Sequence, residues 1–231
     1  MEIKKGSDIV VPHGDREIQF RWYSTEGTYV GVNEQLDKSS SRMPASAEIA
    51  SLVYDAYQNS EGYPEEKIIK YLWDPGFWES TGNLLLPKSN GEINNGVILE
   101  KFPWVRVKDR EIVMDKGTLI ERLKENDPLV KFVPFGFKTQ NLDWQDLEKN
   151  PYIIARYGEA GAEKLAKIVS ERRGCSSYLG FNSFINPPSL DHEESGASSL
   201  HIDKYAQLRI GIGDPEDSIR RGVFSTPKFF D

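Results

Sequence analysis

The stretch Gly196–Ser225 separates cleanly by parity. Its even positions Leu200, Ile202, Ala206, Leu208, Ile210 and Ile212 are apolar, with Lys204 as the exception. Its odd positions Ser199, His201, Asp203, Tyr205, Gln207, Arg209 and Gly211 are polar, amphipathic or bare. Successive strand side chains point to opposite faces, so the alternation predicts a sheet segment over Leu200–Ile212 with one buried and one wet face. Leu208, Ile210 and Ile212 are expected inside, and a one-residue slip would carry the polar set into the core. The mixed chemistry of the wet face suits recognition better than any single reaction.

The rest of the chain reads as strands, helices, strands and helices again before this β end. Short strands are expected at Asp8–Val11, Glu17–Tyr23 and Thr28–Val32, punctuated by Gly14, Gly27 and Gly31. Apolar residues at helical spacing predict helices over Pro44–Gln58, Pro64–Trp73 and Asp115–Glu125. A polar turn is expected at Lys88–Gly96, with strand-like sequence at Val97–Val107 and Phe132–Phe137. Asn141 is expected to cap a short helix ending at Lys149. More helical sequence runs over Asn150–Arg173, interrupted near Gly158 and Gly161. β segments return at Tyr178–Phe184. This order predicts an α+β fold in one domain spanning residues 1–231, with helical insertions between segments of one sheet.

Composition removes several function classes. The formal net charge of -7 argues against nucleic acid, which needs a basic surface. The single cysteine, Cys175, excludes an internal disulfide and any multi-cysteine zinc site, and scattered histidines complete no ligand set. No metal and no cofactor are therefore expected. No run of 18 apolar residues and no signal peptide is seen, so the expectation is a soluble protein, cytoplasmic or virion-associated, without membrane insertion.

Individual motifs read blandly. His13, between Pro12 and Gly14, is expected to be a turn histidine. Asp191-His192-Glu193-Glu194 reads as a solvated acidic turn, and His201 with Asp203 lacks a third metal ligand. Cys175 reads as structural. Trp73, Phe77, Trp78, Phe102 and Trp104 could line a carbohydrate groove, but core positions are the expectation.

The C-terminal pattern resembles the variable region of proteins diversified by diversity-generating retroelements. The resemblance rests on Ala197-Ser198-Ser199-Leu200, the alternating Leu208–Ile212, Gly213-Asp214, and Gly222-Val223-Phe224-Ser225. Met43–Leu52, Asn126–Lys138 and Gly161–Ala166 are similar to archaeal variable proteins of this class, so the likeness spans roughly residues 10–225. The chain departs from the family in having Tyr178 and Phe181 where a tryptophan is usual, and in continuing past Phe224 through Pro227-Lys228-Phe229-Phe230.

The resemblance implies a C-type lectin-like fold with a variable region at about 196–225 and a ligand that is a protein or surface-exposed macromolecule. Variation of this kind rewrites AAC-type codons, which reach His, Asp, Tyr, Arg, Gly, Ser and Asn but never Gln, Lys or Glu. Lys204, Gln207 and Glu216 are then expected to be fixed. The candidate ligand-binding positions are His201, Asp203, Tyr205, Arg209, Gly211, Gly213, Asp214, Asp217 and Ser218. Two alternatives stay open: a lectin-fold enzyme of the formylglycine-generating or sulfatase-modifying type, which needs reactive cysteines, and a structural virion or surface protein.

Overall fold

A computed structural model of the chain describes residues 2–4, 8–21, 24–89, 93–106, 111–171, 177–181, 190–213 and 221–227. It is an α+β fold. Strands β1 (Glu2–Lys4), β2 (Asp8–His13) and β3 (Arg16–Arg21) form a small antiparallel sheet. After β4 (Ser24–Gly27) the chain enters α1 (Tyr29–Lys38) instead of the strand expected over Thr28–Val32. The reason is a cap: the Thr28 hydroxyl accepts from the Gly31 amide at 3.2 Å, which starts a helix where β-branched residues signalled a strand. Next come β5 (Ser41–Arg42), α2 (Ser46–Gln58) and α3 (Tyr63–Trp73), close to their predicted spans.

The central strand, β6 (Phe77–Leu86), carries no sequence signal because both its faces are covered and every residue in it is buried. It is followed by β7 (Gly96–Lys101), β8 (Trp104–Arg106), β9 (Glu111–Val113) and α4 (Lys116–Lys124). Then come β10 (Val130–Pro134), α5 (Trp144–Lys149) and α6 (Pro151–Glu171). Asp143, not Asn141, caps α5, and Asn150 Oδ1 accepts from the Tyr152 amide at the start of α6. Gly158 interrupts α6 at a φ of 72°, whereas Gly161 stays helical against Tyr157 and Ala50. Strands β11 (Ser177–Phe181), β12 (Glu194–Ile202), β13 (Leu208–Gly213), β14 (Arg221–Phe224) and β15 (Thr226–Pro227) complete the chain.

The main sheet has eight strands, with β10-β7-β6-β12-β13-β11 as its spine. β14 lies beside the start of β6, Gly222 opposite Phe77, and pairs antiparallel with β4. β15 pairs with β5, so the C-terminal strands are stitched to the N-terminal third. The single strand expected over Leu200–Ile212 is instead the hairpin β12–β13, turning at 203–207. Parity survives the turn because odd residues pair with odd residues: Ser199 with Gly211, and His201 with Arg209.

The even face meets the alternation's forecast. Leu200, Ile202, Leu208, Ile210 and Ile212 are buried with residues of α2, α3, α6 and the N-terminal sheet in one cluster. Each such side chain contributes about 1.5–3 kcal/mol. The odd face does not stay wet. Ala197 and Ser199 are buried, and Ala197 packs with Trp78, Val223, Ile112 and the α1 residues Tyr29, Val32 and Leu36. A second layer therefore covers half of the face that the alternation assigned to solvent.

A polar island lies within the even face. Arg156 of α6 and Glu79 of β6 are both 0% exposed and 2.8 Å apart. The guanidinium also donates to the carbonyls of Ser199 and Gly211 and to Tyr152 Oη, each at 3.1 Å. Tyr157 Oη donates to the other Glu79 oxygen at 2.7 Å. Asn83 joins Tyr152 Oη to Ser198 Oγ. The island sits at the register break between Ala197 and Ser198, where β12 skips two residues of β6. Glu79→Gln leaves a buried cation uncompensated and is expected to lower stability by about 3–5 kcal/mol. Urea denaturation reads this directly, and a loss below about 1 kcal/mol would show that the pair does not organise the sheet.

Candidate functional site

The β12–β13 turn is held by its first residue. Asp203 Oδ1 accepts from the amides of Tyr205 (2.9 Å) and Gln207 (3.0 Å), and Oδ2 accepts from Arg209 Nε at 2.6 Å. Ala206 takes a φ of +60°, and the Asp203 amide closes the loop on the Gln207 carbonyl at 3.0 Å. Burial pushes the Asp203 carboxyl up, but the Gln207 amide, the Arg209 guanidinium and the Tyr205 amide outweigh it and hold its pKa below the usual range. Asp203 and Arg209 thus form a structural bracket, and both are only partly exposed. Tyr205 stands at the tip with 68% of its surface exposed and the Lys204 ammonium 5.1 Å above its ring.

Behind the tip the face closes down. His201 is partly buried, and its Nδ1 is sealed from solvent without a hydrogen-bond partner. Burial lowers its pKa to about 3, assisted by Arg221 and Arg209 and opposed by Asp203. Gly76, at a φ of +83°, allows this packing: a Cβ there would lie 2.5 Å from His201 Cβ and 2.8 Å from Arg221 Nη1. Arg221 stacks 5.3 Å from the Trp78 ring and donates to the Pro75 carbonyl at 3.3 Å. Trp78 donates to the Gly27 carbonyl and receives Tyr29 edge-on at 5.5 Å.

Of the six candidate positions among the described residues, one, Tyr205, is fully outward. His201, Asp203, Arg209 and Gly213 are partly exposed, and Gly211 is buried. Gly211 is lost to the open surface because Trp78, Ser199 and Gly211 lie abreast across three strands. The Trp78 ring also reaches within 3.3 Å of where a Gly213 Cβ would stand. Asp214, Asp217 and Ser218 lie outside the described residues, as do Glu216 and Cys175. The sequence reading missed Gly76 and Arg221, and it assigned Trp78 to the core, where it is buried. None of the three carries a local pattern that would mark it as part of this face.

The remaining motifs resolve individually. His13 ends β2 with Nδ1 2.8 Å from Ser51 Oγ, which also accepts from Lys164 Nζ at 2.8 Å. It is therefore a tethered strand residue that ties the small sheet to α2 and α6. Burial, and then the Lys164 charge, lowers its pKa. Asp191, His192 and Glu193 are exposed, with Glu193 bridged to Lys116 at 2.6 Å. Trp78 and Phe77 are buried as expected, but Trp73, Phe102 and Trp104 are not, with Trp104 66% exposed. Phe102 and Trp104 flank the turn into the thin β8–β9 layer, where Arg42 and Arg106 lie over their rings. A groove of about 550 Å³, walled by α3 residues Tyr63, Lys67 and Tyr71 and by Pro75, runs beside Gly222 and Arg221. No group of three or more metal-capable side chains is found among the described residues. No described helix is long and apolar enough to cross a membrane.

No family model, no curated protein and no solved structure matches the chain.

Two outcomes follow from this geometry. Asp203→Ala removes the turn bracket and is expected to cost about 1–2 kcal/mol, against about 0.5 kcal/mol or less for Tyr205→Ala. Paired thermal melts test the contrast, and equal losses would contradict the bracket. His201 and His13 both have folded pKa values below the ordinary 6.5. The unfolded chain then takes up protons first on acidification. The His201 contribution should be full above pH 6.5 and fall between pH 6.5 and about 3, by up to about 1.4 kcal/mol per pH unit, and His13 adds a loss of the same sign. His201→Gln should flatten that slope in urea titrations, and an unchanged slope would refute the assignment.

Proposed function

We propose that the chain is a ligand-binding protein whose C-terminal β region is a diversified recognition surface, carried on a C-type lectin-like fold and rewritten by a retroelement. One observation carries the reading. The β12–β13 hairpin is locked to the core by five even-numbered aliphatic residues, while His201, Asp203 and Arg209 lie on the opposite side, partly buried, and Tyr205 stands open at the turn. Side chains can change at the open end with little effect on the buried one, which is what a variable surface on a fixed scaffold requires. The pairing of β14 with β4 and of β15 with β5, which ties the C-terminal strands to the first third of the chain, supports a lectin-like closure.

On this reading the chain binds and does not catalyse. Its ligand is a protein or another surface-exposed macromolecule, and Tyr205 is the anchor, since exposed tyrosines and arginines dominate interface energetics. Gly213, at the end of β13, belongs to the same surface, and Asp214, Asp217 and Ser218 are further positions open to variation on this reading. Gly211 is left out of it because it is buried.

Sequencing the DNA that flanks the coding region tests the reading. The expected result is a reverse-transcriptase gene and a near-copy of the 3′ coding end that differs at adenines in the codons for His201, Tyr205 and Arg209. A locus with neither overturns it. With a ligand selected from a display library, Tyr205→Ala should cost about 2 kcal/mol or more of affinity while leaving the melt almost unchanged.

A further inference from the structure

We infer that the groove beside α3 is a docking site for an extended peptide segment of a protein partner, one whose side chains run basic, acidic, basic at every second residue. The inference does not depend on the hairpin being a diversified surface.

The groove holds about 550 Å³, within the range of ligand pockets. Its long wall is a stripe of α3 and the C-cap residue that ends it. Glu66, Lys70 and Asp74 follow one another there at every fourth residue, so the charge along the wall runs minus, plus, minus. All three are exposed, and among the described residues none of them forms a side-chain ion pair or hydrogen bond. The opposite wall carries Glu26 of β4, one oxygen of which accepts the Tyr71 hydroxyl at 2.7 Å. Tyr71 is clamped in place. Phe77 stacks on its ring at 6.5 Å, Phe224 meets it edge-on at 5.4 Å, and a Cβ on Gly222 would come within 2.8 Å of it. The floor is thus formed before any ligand arrives, which keeps the ordering cost of binding low.

Spacing decides the conformation of the occupant. Four helical residues rise about 6 Å, and two residues of extended chain advance about 6.6 Å. From Glu66 to Asp74 the wall covers about 12 Å, against about 13 Å between the first and fifth residues of a strand. An extended segment laid along α3 therefore sets its first, third and fifth side chains against Glu66, Lys70 and Asp74, while its second and fourth point away. A partner helix of about 10 Å diameter over the same 12 Å would displace roughly 900 Å³, more than the groove holds. Charge decides the sequence of the occupant. The lining has three carboxylates, Glu26, Glu66 and Asp74, and two ammoniums, Lys67 and Lys70. Lys67 lies 5.9 Å over the Tyr71 ring, so Lys70 is the cation within the exposed stripe. A segment with two basic side chains around one acidic one complements both the order of the stripe and its net sign.

The test follows backbone amide shifts of ¹⁵N-labelled protein at constant ionic strength during titration with acetyl-Lys-Thr-Glu-Thr-Lys-amide. A permuted peptide, acetyl-Lys-Lys-Thr-Thr-Glu-amide, has the same composition and charge. The amides of α3 and β4 should shift saturably with the alternating peptide, and the permuted one should need at least about tenfold more to half-saturate. Glu66→Gln should raise the half-saturation point for the alternating peptide by about twofold to fivefold. Lys70→Gln should raise it too, whereas on a merely acidic surface removing a cation would tighten a basic peptide. Glu121→Gln, an equal change of charge at an exposed position on α4, should leave it unchanged. Equal half-saturation by the two peptides, a non-saturating response, shifts spread evenly over the surface, or unchanged or tighter binding in Lys70→Gln overturns the docking site. The peptide comparison uses the unaltered chain, so it decides even where a variant does not fold. Its failure removes the groove alone, while the flanking-DNA test judges the recognition reading.

Discussion

A fully buried guanidinium and carboxylate persist in a folded chain only where every polar atom around them finds a partner. Arg156 meets that condition with all five of its N–H groups: two on Glu79, one on Tyr152 and one each on the carbonyls of Ser199 and Gly211. Glu79 completes its side with the Tyr157 hydroxyl. One side chain of α6 thereby fixes three adjacent strands, β6, β12 and β13. The strands so fixed are the ones that carry the candidate site. Such a network tolerates no sliding, because any shift in register strands a buried donor or acceptor.

That rigidity has a direct bearing on recognition. A surface that varies in sequence needs a backbone that does not vary with it. The hairpin is held from below by the arginine and by the aliphatic even face, and held at its turn by Asp203. What remains adjustable is a short gradient, from the sealed edge of His201 to the open ring of Tyr205. Arg209 stands midway and serves the turn through Nε while sharing the field of Arg221. Residues that maintain the fold and residues on the open surface proposed for recognition are therefore separated by only two or three positions along the strand.

The second layer sets the limit of that gradient. Trp78 crosses from β6 toward Gly213, and α1 with the β8–β9 hairpin seals the face around Ala197. Gly76 and Gly213 stand where Cβ atoms would press on His201 and on the indole. The open end of the face is thus bounded by packing rather than by the pattern of polar residues.

The sequence by itself determined which side of the hairpin is buried. Alternation of Leu200, Ile202, Leu208, Ile210 and Ile212 admits one register, and an even-numbered pairing across the turn preserves it. It also determined helices α2, α3 and α4, whose apolar stripes and leading prolines or acidic caps are local signals. Only the tertiary structure decided the rest. β6 lies covered on both faces and so shows no period. The Thr28 cap turned a strand-like run into α1, and the hairpin's second face was closed by residues distant in the chain, from α1, Trp78 and Ile112 to Val223. Periodicity reports that two faces differ in chemistry. Whether the more polar face meets water or another layer is decided by residues distant in the chain, which no local pattern encodes.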